Sequence, residues 1–119
     1  MGALFAGTAV ALGAYGSHML DGDQNSYEYF MLAVQYHMWH ALGLVAVGWQ
    51  CNIGSGSKTY SALSGILFTV GIFMFSGNLY IFTIAGNPST TAVIPIGGSC
   101  FIGGWIFLAL SSLKQKNLS

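Results

Sequence analysis

The sequence predicts an all-α integral membrane protein, a four-helix bundle with both termini on the inner side. Three observations predict it. Hydrophobic residues make up 54% of the 119 residues and charged residues only 5%, against about 25% charged in a soluble domain. The charges are Lys58, Lys114, Lys116, Asp21, Asp23 and Glu28, with no arginine. They punctuate long uncharged blocks, each of at least the ~20 residues that a membrane-crossing helix needs. The apolar runs within those blocks are continuous rather than alternating, so they read as helices and not as barrel strands. The same charge census excludes a soluble globular domain and a nucleic-acid partner, since three lysines cannot neutralise a phosphate backbone.

The elements run in order within a single transmembrane domain over 1–119. Residues 1–20 carry no charge and form the first helix; without a basic leader or a clean small-x-small cleavage site, they read as a retained span rather than a signal peptide. The second helix occupies 30–51, between the acidic segment that ends at Glu28 and the connection that holds Lys58. The block from Lys58 to Lys114 is long enough for two spans and breaks at Gly86-Asn87-Pro88-Ser89, a strong turn signal. It yields helices at 60–85 and 90–113. Lipid offers no partner for a free N–H or C=O, so a helix, which satisfies its own backbone, is the stable form for each block. All three lysines fall on one side of the four-span chain, and the positive-inside bias makes that side cytoplasmic.

Small residues predict how the helices meet. Gly2, Ala6, Ala9, Gly13 and Gly16 recur at steps of three and four along helix 1, and Gly97, Cys100 and Gly104 repeat the device on helix 4. In lipid, close backbone approach through such stripes is the usual adhesive between helices. The expected use is an intramolecular bundle, with contact between copies as the alternative. Cys51 and Cys100 fall toward opposite membrane faces, too far apart for the ~7 Å limit of a disulfide, and are expected as free thiols.

Four polar segments interrupt the hydrocarbon: the stretch ending at Ser17-His18, then Gln35-Tyr36-His37 with Trp39-His40, then Ser76-Gly77-Asn78-Leu79-Tyr80, and Pro95 to Ser99. Counted from the predicted helix ends at ~1.5 Å per residue, all four fall in the outer half of the membrane, above an inner half of nearly plain hydrocarbon. The candidate ligand-binding cluster is therefore Ser17, Gln35, Tyr36, Trp39, Ser76, Asn78, Tyr80 and Ser99. His37 and His40 share a helix face, and with His18 they form a candidate set for a transition metal or haem iron. The competing expectation is that these neutral histidines hydrogen-bond within the bundle. Asn78 and Gln35 read as inter-helix glue, or as the lining of a pocket for a lipid or quinone. No Asp, Glu, Lys or Arg lies inside a span, so a proton relay or charge-coupled pump has nothing obvious to run on, and no serine has the His–acid arrangement of a nucleophile.

These segments, in this order, resemble a known family. Ala11-Leu12-Gly13-Ala14-Tyr15-Gly16-Ser17-His18, Tyr36-His37 with His40-Ala41-Leu42, Phe75-Ser76-Gly77 with Leu79-Tyr80, Pro95-Ile96-Gly97-Gly98 and a later Gly104-Trp105 are similar to the motifs of the YgdD/YwdK-like small membrane proteins. That family is catalogued as a domain of unknown function and has a mitochondrial relative in animals. The resemblance covers nearly the whole chain. It implies a four-span protein of the bacterial inner membrane, or of the inner membrane of an organelle descended from a bacterium, and it implies no activity or ligand. Size, glycine-rich faces and missing catalytic chemistry lead to the expectation of a non-catalytic accessory or assembly partner. Its surroundings would be membrane lipids and either another membrane protein or further copies of itself. Metal or haem binding, and lipid or quinone binding, are the alternatives.

Overall fold

A computed structural model describes residues 2–19, 24–52, 54, 57–85 and 92–115, and every element among them is helical. Helix α1 runs Gly2–Met19, α2 Gln24–Asn52, α3 Lys58–Gly71, α4 Asn78–Ala85 and α5 Ile94–Gln115. A π-helical segment, Ile72–Gly77, joins α3 to α4, so these three pieces form one continuous rod. The described residues thus form four rods, of which three are long and apolar enough to cross a membrane: Tyr27–Asn52, Lys58–Ile84 and Ile94–Leu113. The first, apolar over Gly2–Ser17, is shorter. At 18 residues, α1 is ~27 Å long, close to the ~30 Å of bilayer hydrocarbon.

Two boundaries differ from the apolar pattern for physical reasons. α2 begins at Gln24, upstream of the apolar block at 30, because Tyr29 and Phe30 have packing partners on other rods. Tyr29 meets Phe82 edge-on, and Phe30 packs on Tyr15 and Tyr80. The early start moves His37 and His40 from the outer half to the middle of α2. After α2 the chain turns at Gly54, whose φ of 69° lies in the left-handed region that glycine enters freely, and whose N–H donates to the Cys51 carbonyl (3.2 Å). α3 then starts with a side-chain cap, as Ser57 Oγ accepts the Tyr60 N–H (3.3 Å). That cap fills one of the open donors of a helix start. The segments around Asp21 and 86–91 lie outside the described residues.

α2 and the third rod form the central pair; α1 docks chiefly on α2, and α5 chiefly on α3. Glycines set how closely they approach. A Cβ at Gly16 would stand 2.5 Å from the Phe30 ring, and one at Gly2 would stand 2.8 Å from the backbone nitrogen of Val45. Ala9, between them, is fully buried. The helix 1 stripe is therefore spent inside the chain, against α2. Phe68, also fully buried, lies between Gly43 of α2 and Gly104 of α5, each of which would clash with it if given a Cβ. Phe101 fits the notch at Gly71, and Gly97 lies against the backbone of Met74 and Phe75. With little hydrophobic drive in lipid, such fitted contacts supply dispersion attraction that a looser fit forfeits. Cys51 and Cys100 are both free thiols.

Candidate functional site

The polar residues of the middle of the bundle form two groups with separate partners along the inward face of α2. On the α5 side stands His40, buried at 4% exposure. Its ring stacks on Phe101 with centroids 3.6 Å apart and an 11° interplanar angle, and Phe68 meets it edge-on. Trp105 Nε1–H, which can only donate, donates to His40 Nε2 (2.9 Å). Nε2 is therefore the acceptor nitrogen, the proton sits on Nδ1, and Nδ1–H donates to the Tyr36 carbonyl one turn earlier (2.7 Å). Both nitrogens of a neutral imidazole are thereby used, joining α2 to α5 at mid-height.

On the α1 side stands His37, also 4% exposed. Its Nδ1 pairs with the Tyr80 hydroxyl (2.9 Å), linking α2 to α4, and Phe5 of α1 meets its ring edge-on. Its Nε2 is buried without a hydrogen-bond partner. Of the expected histidine set, His37 turns to α1 and α4 and His40 turns to α3 and α5, and the side chain of His18 lies outside the described residues. Among the described residues there is no group of three or more His, Cys, Asp or Glu that could hold a metal ion.

The other candidate residues separate in the same way. Ser76 Oγ–H donates across to the Ala33 carbonyl (2.8 Å), tying the π segment to α2. Asn78, expected to bond between helices or to line a pocket, instead donates from Nδ2 to Met74 O in its own rod (2.7 Å), where the π turn gives way to α4. A π turn widens the helix and shifts the register of the turns beyond it. That shift sets the direction in which Tyr80 leaves the rod. Gln35 and Ser17 are exposed on the outside of the bundle. Ser99 Oγ–H donates back to Pro95 O (3.1 Å). Tyr36, Trp39 and Ser99, with Phe101 and Trp105, line a groove of about 540 Å³ between α2 and α5.

A further polar network lies where the sequence pattern predicts plain hydrocarbon. Toward the Lys58 end of the bundle, Ser61 Oγ and Ser111 Oγ share a hydrogen bond (2.7 Å), Ser111 Oγ–H also reaches the Ser57 carbonyl (3.1 Å), and Ser64 Oγ–H donates to Gly104 O (2.7 Å). Gln50 Nε2–H adds a bond to Ser112 Oγ (3.3 Å). Ser57, Ser61 and Ser64 recur at steps of four and three, which places them on one face of α3. That spacing was the available signal. Serine's small size and near-neutral hydropathy hide it in an apolar background.

The family catalogued as "Protein of unknown function (DUF423)" matches residues 12–98. The chain belongs to this family. It is 37% identical over 116 residues to the UPF0382 membrane protein YwdK of Bacillus subtilis, covering 96% of this chain and 94% of that protein. To the UPF0382 membrane protein of Haemophilus influenzae it is 32% identical over 111 residues, covering 92% and 87%. To the UPF0382 inner membrane protein YgdD of Escherichia coli it is 28% identical over 111 residues, covering 90% and 82%. No solved structure matches the chain. Together with its three long apolar rods, this membership makes the chain a multi-pass membrane protein.

Proposed function

We propose that this protein is a non-catalytic bundle of the bacterial inner membrane that acts as an accessory or assembly partner of a larger membrane complex, with its termini and Lys58 on the cytoplasmic side. One observation carries this reading: most of the polar groups buried between the rods, His37 Nε2 excepted, are occupied in holding the helices together. His40 with Trp105, Ser76 with Ala33, Ser61 with Ser111 and Ser64 with Gly104 use donors and acceptors that catalysis or ion transfer would need free. The inner-membrane placement draws on the name of the Escherichia coli relative. Gentle extraction from the native membrane, followed by measurement of native mass, tests it. A stable assembly with another membrane protein is expected. A lone monomer would contradict it.

A second reading, binding of a lipid or quinone, is favoured by the α2–α5 groove. Its walls are aromatic, and Trp39 and Trp105, among its lining residues, are 50% and 44% exposed, on a surface that would meet lipid. Co-extraction of a lipid or quinone that is lost in Tyr36→Leu would support this reading.

A further inference from the structure

Gln35 is a polar side chain that the bundle leaves unused. It stands exposed on the lipid-facing side of α2, and among the described residues its amide has no hydrogen-bond partner. The exposed hydroxyls of Thr8, Ser99 and Ser112 differ, since each returns its hydrogen to a carbonyl one turn earlier in its own helix (2.8, 3.1 and 3.3 Å). We propose that α2 pairs with α2 of a second copy of this chain, Gln35 meeting Gln35 of the partner subunit across a two-fold axis along the membrane normal. This interface goes beyond the accessory role and stands without it.

Depth makes the unused amide costly. The span of α2, Tyr27–Asn52, has 26 residues and is ~39 Å long, which exceeds the bilayer hydrocarbon by ~9 Å. With that excess shared between the two ends, Gln35 lies ~7 Å inside the hydrocarbon, and a stem of two methylenes falls short of that distance. Lipid tails offer the amide neither donor nor acceptor, and transmembrane helices answer such a group by hydrogen bonding to one another. The apolar remainder of the lipid-facing surface asks for no cover, because lipid tails are as apolar as leucine.

The residues around Gln35 point to a second copy as the partner. Met31, Gln35, Met38, Leu42, Val45 and Trp49 follow one another at alternating steps of four and three, the a/d repeat of a left-handed helix pair. They run along ~27 Å of α2. Gln35, Leu42, Val45 and Trp49 are exposed, and Met31 and Met38 are half-buried, so this seam is not spent within the chain. Copies inserted in the same direction share an orientation, so α2 meets its counterpart in parallel and each seam residue faces itself. A primary amide is its own complement there: each Nε2–H donates to the other's Oε1, and the two-fold axis satisfies both. A single polar residue at an a position of a parallel pair also fixes its register. The small-residue stripe of α1 is already packed on α2, which leaves contact between copies to this face.

The test is cysteine cross-linking of the full chain in its native membrane, with Cys51 and Cys100 replaced by serine and one new cysteine per variant. Copper-phenanthroline oxidation joins thiols whose Cα atoms lie within about 7 Å. Met38→Cys, Leu42→Cys and Trp49→Cys are expected to give a covalent dimer of the chain. Val10→Cys on α1 and Ile102→Cys on α5, at positions 62% and 65% exposed, should give far less. Adding Gln35→Leu to Leu42→Cys should lower the dimer yield about threefold or more, and the positional pattern decides by itself if that variant does not fold. Seam yields no higher than those at Val10 and Ile102, or a yield that Gln35→Leu leaves unchanged in a folded chain, would overturn the proposal. So would cross-links from the seam to a different protein in place of a second copy. The assay follows contact between copies alone, whereas the accessory role rests on another protein in the native assembly, so either can fail without the other.

Discussion

His40 is held by two hydrogen bonds that a neutral imidazole makes in one tautomer only, with Nε2 accepting from Trp105 and Nδ1–H donating to Tyr36. Removing the indole donor leaves a buried nitrogen facing hydrocarbon. Trp105→Phe is therefore expected to destabilise the bundle by ~0.6–1.7 kcal/mol, the range seen for inter-helix hydrogen bonds in membranes. Reversible unfolding in mixed detergent micelles would check it, and an unchanged midpoint would contradict the pairing. That the histidines fall deep in the bundle was legible from Tyr36-His37 and His40 interrupting an apolar run. Their separate partners were not. Residues three apart on a helix point in similar directions, and only the positions of Tyr80 and Trp105 on other rods decide which way each ring is drawn.

Between helices, glycine decides the rod contacts, and the structure distinguishes glycines that a side chain would damage from those it would not. A Cβ at Gly71 would stand 2.5 Å from the Phe101 ring and 3.1 Å from the Gly97 carbonyl, whereas Gly7 has nothing within 4 Å. Gly71→Val is expected to cost ~1–3 kcal/mol by overpacking, and Gly7→Ala to stay within ~0.5 kcal/mol, both read from the same unfolding titration. Equal effects would mean that the α3–α5 contact is not as described. The small-residue stripe on helix 1 was legible in its spacing, and Gly2, Ala9 and Gly16 do pack on α2. The π segment was not legible, because Ile72 to Gly77 contains no proline and differs little in composition from its surroundings. Its polar markers are Ser76 within it and Asn78 just after it. Asn78→Leu removes the amide that donates to Met74 O and is expected to speed amide hydrogen exchange across the π segment while leaving α5 unchanged. Uniform exchange along the third rod would contradict this.

Across the bundle, the all-helical membrane architecture was readable because it rests on the placement of six charges and the length of the blocks between them. The serine network near Ser57 was not, since Ser61, Ser64 and Ser111 acquire their roles only when α3 and α5 meet. That network, the His40–Trp105 pair and the Ser76–Ala33 bond join α2, the third rod and α5 at three heights, as expected for a scaffold that holds a fixed shape against a partner. The proposed orientation puts the lysines on the cytoplasmic side, so a reporter fused at the C-terminus should respond as a cytoplasmic one, and an extracytoplasmic response would reverse it. Whether the buried histidines hold the rods together rather than a metal or haem is decided by the metal and haem content per chain of protein gently extracted from its native membrane. Content well below one per chain, unaltered in His40→Ala, is the predicted result. One metal or haem per chain, lost in His37→Ala or His40→Ala, would contradict it and make the middle of α2 a cofactor site.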